Sequence, residues 1–197
     1  TALLRTASGY GETVKGTVRI TASEVVGAEH LPPILARLRE RHPKLEIELV
    51  LSNAVGDLLR GDADIAVRMV EPLQDALIAK RLASIGLGLY AHRSYLARRG
   101  VPTSMADLVH HDCIGFDRET PALRAFLQSV PAMNRSLFAL RADSDLELAA
   151  IRCGFGIGGC QGPLAARHPD LLRVLANEFD LELGVWIVMP EDLRTSP

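Results

Sequence analysis

The sequence has few cysteines and no long apolar run, and each shortage excludes a class of protein. Cys113, Cys153 and Cys160 are odd in number and widely spaced, which excludes the disulfide framework of a small secreted domain. No apolar run approaches the roughly 20 residues of a membrane-spanning helix, and no signal-peptide pattern opens the chain. We therefore expect a protein that is not in a membrane and that resides in the cytoplasm.

An excess of positive charge is also missing. The 197 residues contain 22 Lys and Arg against 24 Asp and Glu, a formal net charge of −2, whereas a surface that binds nucleic acid normally carries clustered basic residues. The basic stretch from Arg37 to Lys44 is typical of the solvated side of a helix whose other side is Ile34, Leu35 and Leu38. Any contact with DNA is therefore expected from residues outside this chain.

Motifs of common enzymes are absent or stand in the wrong context. There is no G-x-S-x-G nucleophile motif and no phosphate-binding loop with its lysine. The segment 154–159 matches the dinucleotide-binding pattern G-x-G-x-x-G, but that loop must follow a strand and open a helix. Here it follows a predicted helix and enters a predicted strand. We therefore interpret it as a helix stop followed by a strand that passes close to other backbone.

A metal site or a thiol nucleophile is suggested by His110, His111 and Cys113. Neither a further ligand pair at metal-site spacing nor an Asn or Asp placed to orient an imidazole accompanies them. The predicted alternative is a pair of loop histidines beside a buried structural cysteine. Cys153 and Cys160 are likewise interpreted as small buried apolar residues. The sequence predicts no enzyme activity, no cofactor and no metal.

Hydrophobic periodicity predicts two successive α/β regions, with 48% apolar residues available for their cores. After a linker at 1–16, the first region has strands at Thr17–Thr21, Leu45–Leu51 and Ala63–Val67 and helices at Leu31–Leu38 and Val55–Arg60. This βαβαβ order implies a parallel sheet covered by helices. A change of rhythm follows, because the strand-like runs Leu77–Leu82 and Ile85–Ala91 have no helix between them.

The second region is predicted from turn residues and capping boxes. Helices are expected at Ser94–Arg99, after Ser104, at Pro121–Gln128, from Ser144 to Gly154 and at Leu164–Arg167, and strands at Cys113–Phe116, Leu137–Arg141, Phe155–Cys160, Leu171–Leu175 and Leu183–Met189. The pattern from Ser144 to Glu147 is the clearest capping box, and Leu146, Ala149, Ala150 and Cys153 form the apolar stripe of its helix.

Polar residues follow the first two predicted parallel strands. In an open α/β sheet, ligands bind outside the carboxyl ends of the strands, where helix N-termini offer free N–H groups. Ser23, Ser52 and Asn53 therefore have two interpretations. They could bind a small polar or anionic ligand, or they could simply cap their helices.

Taken together, these segments resemble the effector-binding domain of LysR-type transcriptional regulators. The resemblance covers nearly all of residues 16–197 and depends on the common order and spacing of its pieces. Those pieces are Gly16–Ile20, Leu31–Leu35, Arg41–Pro43, Gly61–Arg68, Leu77–Leu82, Ser94–Gly100, Asp107–Leu108, His111–Cys113 and Cys153–Gly158.

The resemblance implies a two-lobed α/β fold like that of a type 2 periplasmic binding protein. Lobe one would comprise 17–69 plus 161–197 and lobe two 70–160, each an α/β sandwich, with two crossover strands between them. A small-molecule effector would bind in the cleft between the lobes. Carried over by position, the candidate ligand-binding residues are Ser23, Glu24, Ser52, Asn53, Arg68, Phe116, Asp117, Ala142, Asp143, Ser144 and Gln161.

The resemblance also implies partners. Arg68 and the helix N-termini favour an anionic effector, although an exposed helix end contributes only about 0.3–1 kcal/mol. A homodimer or homotetramer is expected, with the Leu31–Arg41 helix of one chain against the Ser144–Cys153 helix of another. DNA would be bound only by an N-terminal helix-turn-helix domain preceding Thr1, so this chain is interpreted as a fragment.

Two other classes of protein share such a fold. A transport-type solute-binding protein would need an export signal upstream. A lyase would need a constellation of acidic and basic groups, whereas the candidate residues supply mostly Ser, Asn and one Arg. The sequence of roughly ninety preceding residues, a length suggested by the resemblance, would separate these alternatives.

Overall fold

The computed structural model describes residues 14–53, 63–71, 77–118, 124, 127–128, 130, 133–142 and 144–191. The strands are β1 (Lys15–Ala22), β2 (Lys44–Leu51), β3 (Ile65–Arg68), β4 (Leu77–His92), β5 (Cys113–Phe116), β6 (Phe138–Ala142), β7 (Ile157–Gln161), β8 (Leu171–Val174) and β9 (Leu181–Pro190). The helices are α1 (Leu31–Arg41), α2 (Arg93–Arg99), α3 (Ser144–Arg152) and α4 (Gly162–Ala165). Shorter turns are π-helical at Val26–His30 and 3-10 at Met105–His110 and Arg135–Leu137.

The chain forms two compact units. The first comprises Thr1–Ala83 and Gly184–Pro197, and the second comprises Ser84–Leu183. The chain passes from one unit to the other within β4 and again within β9. Two crossover strands were expected from the resemblance, but the boundaries were expected near residues 69/70 and 160/161. A strand that continues through a boundary gives no local break in the sequence, so its position could not be located from pattern alone.

β1 lies at the centre of the first unit's parallel strands. It pairs in parallel with β2 on one side and with β3 on the other, and β9 runs antiparallel beside β3. Ala22 lies opposite both Leu51 and Val67, so the carboxyl ends of these three strands are level with one another. This confirms the parallel pairing predicted from the βαβαβ order.

The second unit combines antiparallel and parallel pairing. β4 runs antiparallel to β7 and β8, whereas β5 is parallel to both β6 and β7. The core of this unit contains large buried side chains from its strands and helical segments, including Leu89, Tyr95, Leu108, Phe138 and Ile157. The helix α2 and the 3-10 turn that follows Ser104 confirm two of the predicted helical segments, and Ser104 and Asp107 form the expected capping box.

Several predicted elements have a different form in the structure. The two runs Leu77–Leu82 and Ile85–Ala91 form one continuous strand, β4, whose middle residues 79–84 are exposed. The first strand, β1, begins at Lys15, inside the predicted linker. The predicted helix at Val55–Arg60 and most of Pro121–Gln128 lie outside the described residues.

The buried side of α3 differs from its predicted apolar stripe. Leu146 is 58% exposed and Ala149 is also exposed, whereas Glu147, Leu148 and Ile151 are buried. The apolar face of α3 is predicted from residue type alone, and the same pattern places Glu147 in a capping box. In the structure its carboxylate instead accepts a hydrogen bond from Gly159 of β7, which turns this side of the helix inward.

Within the described residues, no helix combines the length and the apolar character needed to cross a membrane.

Candidate functional site

The loops that follow β1 and β2 are joined by hydrogen bonds. The N–H of Ser52 donates to the Ala22 carbonyl at 2.8 Å, and the N–H of Glu24 donates to Asn53 Oδ1 at 3.3 Å. The N–H of Ser23 donates to the Val67 carbonyl at 3.0 Å, which adds the end of β3 to this group. The structure therefore brings together the candidate residues of the first unit at one edge of its sheet.

Two side chains at this edge have distinct roles. Asn53 is exposed, and its amide oxygen holds the backbone of the β1 loop in place. Glu24 Oε2 is shielded from solvent, and no donor among the described residues bonds to it. This edge of the sheet thus contains the exposed amide of Asn53 and the largely shielded carboxylate of Glu24.

Arg68, the last residue of β3, is only 3% exposed. Its guanidinium donates from Nη2 to Thr21 Oγ1 at 3.1 Å and from Nη1 to the Val67 carbonyl at 3.2 Å. Thr21 belongs to the neighbouring strand β1 and Val67 to Arg68's own strand, so these hydrogen bonds stabilise the protein's own structure. Thr21 was not among the predicted site residues, because its place in an alternating strand suggested only a structural role.

The candidate residues of the second unit also follow parallel strands. Phe116 of β5 lies opposite Ala142 of β6, and the N–H of Asp117 donates to the Ala142 carbonyl at 3.1 Å. The carbonyl of Asp117 accepts a hydrogen bond from Arg135 Nη1 at 2.9 Å, which fixes the loop after β5. Asp143 lies outside the described residues, and Ser144 is the first residue of α3.

Gln161 ends β7 and is buried. Because β5, β6 and β7 run parallel, their carboxyl ends lie at one edge of the second unit's sheet. Gln161 therefore shares this edge with Phe116 and Ala142. The structure assigns it to the second unit, since the chain re-enters the first unit only at Gly184.

Glu147, which belongs to the predicted capping box, is a buried acid. It is 4% exposed, and burial raises the pKa of its carboxyl to about 8, although the hydrogen bond from the Gly159 N–H acts in the opposite direction. The sequence did not indicate that Glu147 is buried, because the residue also fits the capping-box pattern.

The histidine and cysteine group has a structural role, as predicted. Cys113 is buried and donates from Sγ to the Leu108 carbonyl at 3.7 Å, and burial raises the pKa of its thiol to about 11. A thiol in that state is a poor nucleophile at neutral pH. His111 Nδ1 lies 3.2 Å from the Tyr95 hydroxyl, and burial lowers the pKa of its imidazole.

The other two cysteines differ from each other. Cys160 is buried, as expected, whereas Cys153 is exposed at the end of α3, so that prediction was wrong. A helix C-terminus is partly solvated even where the helix packs on a sheet. Among the described residues, no group of three or more His, Cys, Asp and Glu side chains could hold a metal ion.

The glycine-rich segment adopts the predicted structural role. Gly154 ends α3 with φ +73°, a conformation that favours glycine, and β7 begins at Ile157. A Cβ on Gly156 would lie 1.9 Å from the Asp112 carbonyl oxygen, so only glycine fits this close approach. The segment therefore follows a helix and enters a strand, opposite to a nucleotide-binding loop.

A family comparison agrees with this arrangement. The profile described as the LysR substrate binding domain matches residues 11–197, nearly the whole chain. The chain belongs to this family. As the resemblance predicted, it is the effector-binding domain of a LysR-type transcriptional regulator.

Curated relatives in this LysR group are named as regulators. The HTH-type transcriptional regulator CrgA of Neisseria meningitidis serogroup C (strain 8013) is 30% identical over 105 residues, which cover 53% of this chain and 35% of CrgA. The HTH-type transcriptional activator AaeR of Escherichia coli (strain K12) is 31% identical over 108 residues, which cover 54% of this chain and 35% of AaeR. The chain spans about a third of the length of these relatives.

Solved structures confirm the predicted fold class for this LysR-family domain. The regulatory domain of CrgA from Neisseria meningitidis matches with a TM-score of 0.80 at 22% identity, covering 92% of each chain. The full-length virulence activator AphB of Vibrio cholerae, a member of the LTTR protein family, matches with a TM-score of 0.73 at 20% identity, covering 90% of this chain and 63% of AphB. The mixed α/β architecture, with nine strands among the described residues, is thus that of a periplasmic-binding-protein-like regulatory domain.

Proposed function

We propose that this domain binds a small-molecule effector through residues at the strand-end edges of both units and thereby controls the DNA-binding activity of the full-length regulator. The observation that carries the proposal is the level alignment of Ala22, Leu51 and Val67, beyond which the polar residues of the first unit are hydrogen bonded together. The parallel strands of the second unit end in the same manner at Phe116 and Ala142.

Contacts from both units are required by the thermodynamics of switching. A ligand shifts a conformational equilibrium only by the difference between its affinities for the two states. A ligand held by one unit alone would bind equally well whatever the position of the other. We therefore assign ligand contacts to Asn53, Ser52 and Glu24 in the first unit and to Asp117 and Gln161 in the second. Arg68 supports its edge from within, and its charge adds a bias toward an anionic effector.

The names of the curated relatives favour a transcriptional regulator over a solute-binding protein or a lyase. Both curated relatives are named as HTH-type transcriptional proteins, and neither name describes a transporter or a lyase. DNA binding is assigned to another part of the full-length protein, since the charge of this chain is close to balanced. A regulator of transcription would work in the cytoplasm, where the DNA is.

We also propose that the domain self-associates through α1 and α3. Ile34 of α1 is 49% exposed and Leu146 of α3 is 58% exposed, so each helix presents large apolar surface to solvent. Pairing α1 of one chain with α3 of another would bury both surfaces twice in a symmetric dimer. A homotetramer would need further contacts. Sedimentation at several protein concentrations would test the dimer, and Ile34→Glu should convert it to a monomer; an unchanged mass would contradict the proposed interface.

A thermal-shift screen of small metabolites tests effector binding directly. A ligand present at about 100 times its Kd adds about 2.7 kcal/mol to the free energy of unfolding, which corresponds to a rise in Tm of about 5–11 °C for a chain of this size. Trp186, the only tryptophan, lies on β9 opposite Arg68 and gives a second, fluorescent signal. If no compound in a broad panel of organic acids, amino acids and aromatic metabolites raised Tm, the proposal would lose its support.

A further inference from the structure

Glu147 accepts a hydrogen bond from a backbone amide of β7 that points toward β5. β5 and β7 pair at Cys113 and Ile157, and the Ile157 N–H donates to the Asp112 carbonyl at 2.9 Å. Alternate amides of a strand point to the same edge, so the Gly159 N–H also points toward β5. It donates instead to Glu147 Oε1 at 3.2 Å. A helix side chain therefore satisfies a backbone amide where the two strands part.

The glycines of β7 make room for this carboxyl. A Cβ on Gly158 would lie 3.3 Å from Glu147 Oε1 and 2.9 Å from Ile151 Cδ1, and a Cβ on Gly159 would lie 3.8 Å from Glu147 Oε1. Larger residues at these two positions would push α3 away from the strand. The contact between α3 and β7 thus depends on a small strand surface and one polar group.

Few ionisable side chains of the described residues lie on the elements packed around Glu147. The described ionisable residues on the strands packed against α3 are Cys113 on β5, Arg141 on β6 and Cys160 on β7, and α3 itself adds Arg152. Burial raises the pKa of Glu147, and the hydrogen bond from the Gly159 N–H lowers it by less. A buried carboxylate without a counter-charge is costly, so it either stays neutral or gains access to water.

We propose that Glu147 forms a pH-sensitive contact between α3 and β7, which the neutral carboxyl keeps closed and the carboxylate opens. In the neutral state the carbonyl oxygen accepts the Gly159 N–H while α3 remains packed. Loss of the proton leaves a charge that is stabilised only when α3 moves enough to admit water. Because α3 carries exposed Leu146 and β7 ends at Gln161, the contact also joins the proposed dimer surface to the proposed effector edge; this last link rests on the proposed function.

Amide hydrogen exchange at Gly159 tests the contact without an effector. When α3 moves away from β7 and exposes Glu147, the carboxyl releases its proton at any pH between its ordinary pKa and the raised one. The opening constant, after correction for the intrinsic exchange rate, should therefore rise about tenfold per pH unit from pH 5 to 7 and level off near pH 8. In Glu147→Gln the constant should not vary with pH. Glu40→Gln, which neutralises an exposed carboxylate on α1, should behave as the wild type does.

Two results would overturn the proposal. One is an identical pH dependence of Gly159 exchange in the wild type and in Glu147→Gln. If that variant does not fold, the carboxyl carbon of Glu147 in the wild type can be titrated by NMR instead. A midpoint near pH 8, with amide shifts in α3 and β7 that follow the same curve, supports the contact. A midpoint below pH 6, or a titration without those amide shifts, overturns it. Neither measurement depends on finding an effector, so failure here leaves the effector proposal standing.

Discussion

The two units each bury an ionisable side chain, and they treat it differently. Arg68 in the first unit donates to an oxygen of the neighbouring strand β1 and to one of its own strand β3. Glu147 in the second unit accepts one hydrogen bond, from a backbone amide. A guanidinium keeps its charge at any physiological pH, so it must be given acceptors. A carboxyl can avoid the cost of burial by keeping its proton, so it can be left with a single donor. We therefore expect the hydrogen bonds of Arg68 not to depend on pH and the contact made by Glu147 to respond to it.

Below about pH 6, this contrast predicts the largest effect for Arg68. Replacing it with Met removes its hydrogen bonds to Thr21 and to the Val67 carbonyl and repacks the end of β3. We expect a loss of about 2–4 kcal/mol in the free energy of unfolding, with little dependence on pH between 5 and 9. Urea denaturation would measure it. Arg37→Met on the exposed side of α1 is the matched control and should change stability by less than about 0.5 kcal/mol. Equal effects of the two substitutions would remove the distinction drawn for the first unit.

Glu147→Gln should have the next largest effect, and the opposite pH behaviour. The folded protein holds a proton on Glu147 up to about pH 8, whereas the unfolded chain loses it near the ordinary value of 4.5. The stabilisation from Glu147 is thus complete below pH 4.5 and is lost as the pH rises to 8, by about 1.4 kcal/mol per pH unit. Relative to the Gln variant, the wild type should become steadily less stable over this range in urea denaturation. Parallel stability curves for the two proteins would show that Glu147 is not protonated in the fold.

Tyr95→Phe tests whether a neutral polar contact in the second unit behaves differently from its buried acid. The Tyr95 hydroxyl accepts the Asp112 N–H at 2.7 Å and is left free to donate to His111 Nδ1. Its removal should cost about 1–2 kcal/mol. Burial lowers the pKa of His111, so the folded protein keeps the neutral imidazole below the usual value of 6.5. The cost of Tyr95→Phe should therefore shrink only as the pH falls through the lowered pKa. Tyr90→Phe is the control, because no described hydrogen bond involves that hydroxyl. An equal cost for both tyrosines would contradict this account.

Asp107→Asn should have the smallest effect. The side-chain and backbone donors of Thr103 and the N–H of Ser104 lower the pKa of this exposed carboxyl to about 2. Its contribution is present above pH 3.8 and is lost as the pH falls toward 2. The wild type and the Asn variant should therefore converge in Tm below pH 3, as followed by circular dichroism. A difference that stayed constant from pH 2 to 7 would argue against the capping carboxylate.

Much of the fold was predictable because local pattern and tertiary position agreed. β1, α1 and β2 follow the predicted periodicity, and the glycine-rich segment 154–159 was correctly separated from a nucleotide loop by its context. The failures have a physical cause as well. β4 continues through residues 83 and 84, because an exposed strand needs no turn residue to pass between two units. Patterning by residue type also gave no indication that Glu147 is buried, because its partner is an amide of β7 that is distant in sequence.

The candidate site was predicted in outline, since strand ends in a parallel sheet can be located from sequence. The hydrogen bonds that connect Asn53 to the β1 loop and Arg68 to Thr21 could not be predicted, because both depend on register between strands. Register also gives Arg68 its structural acceptors. Its interpretation changes accordingly, from a ligand contact predicted by position to a residue that supports the edge from inside.

Effector binding by both units is the central claim, and calorimetric titration of the strongest compound from the thermal-shift screen tests it most directly. We predict that Asn53→Ala in the first unit and Gln161→Ala in the second each weaken affinity by about 2- to 10-fold, as expected for one lost hydrogen bond. Arg37→Met serves as the control and should bind as the wild type does. If the affinity fell for variants of one unit only, the effector would be held by that unit alone, and the account of switching would be contradicted.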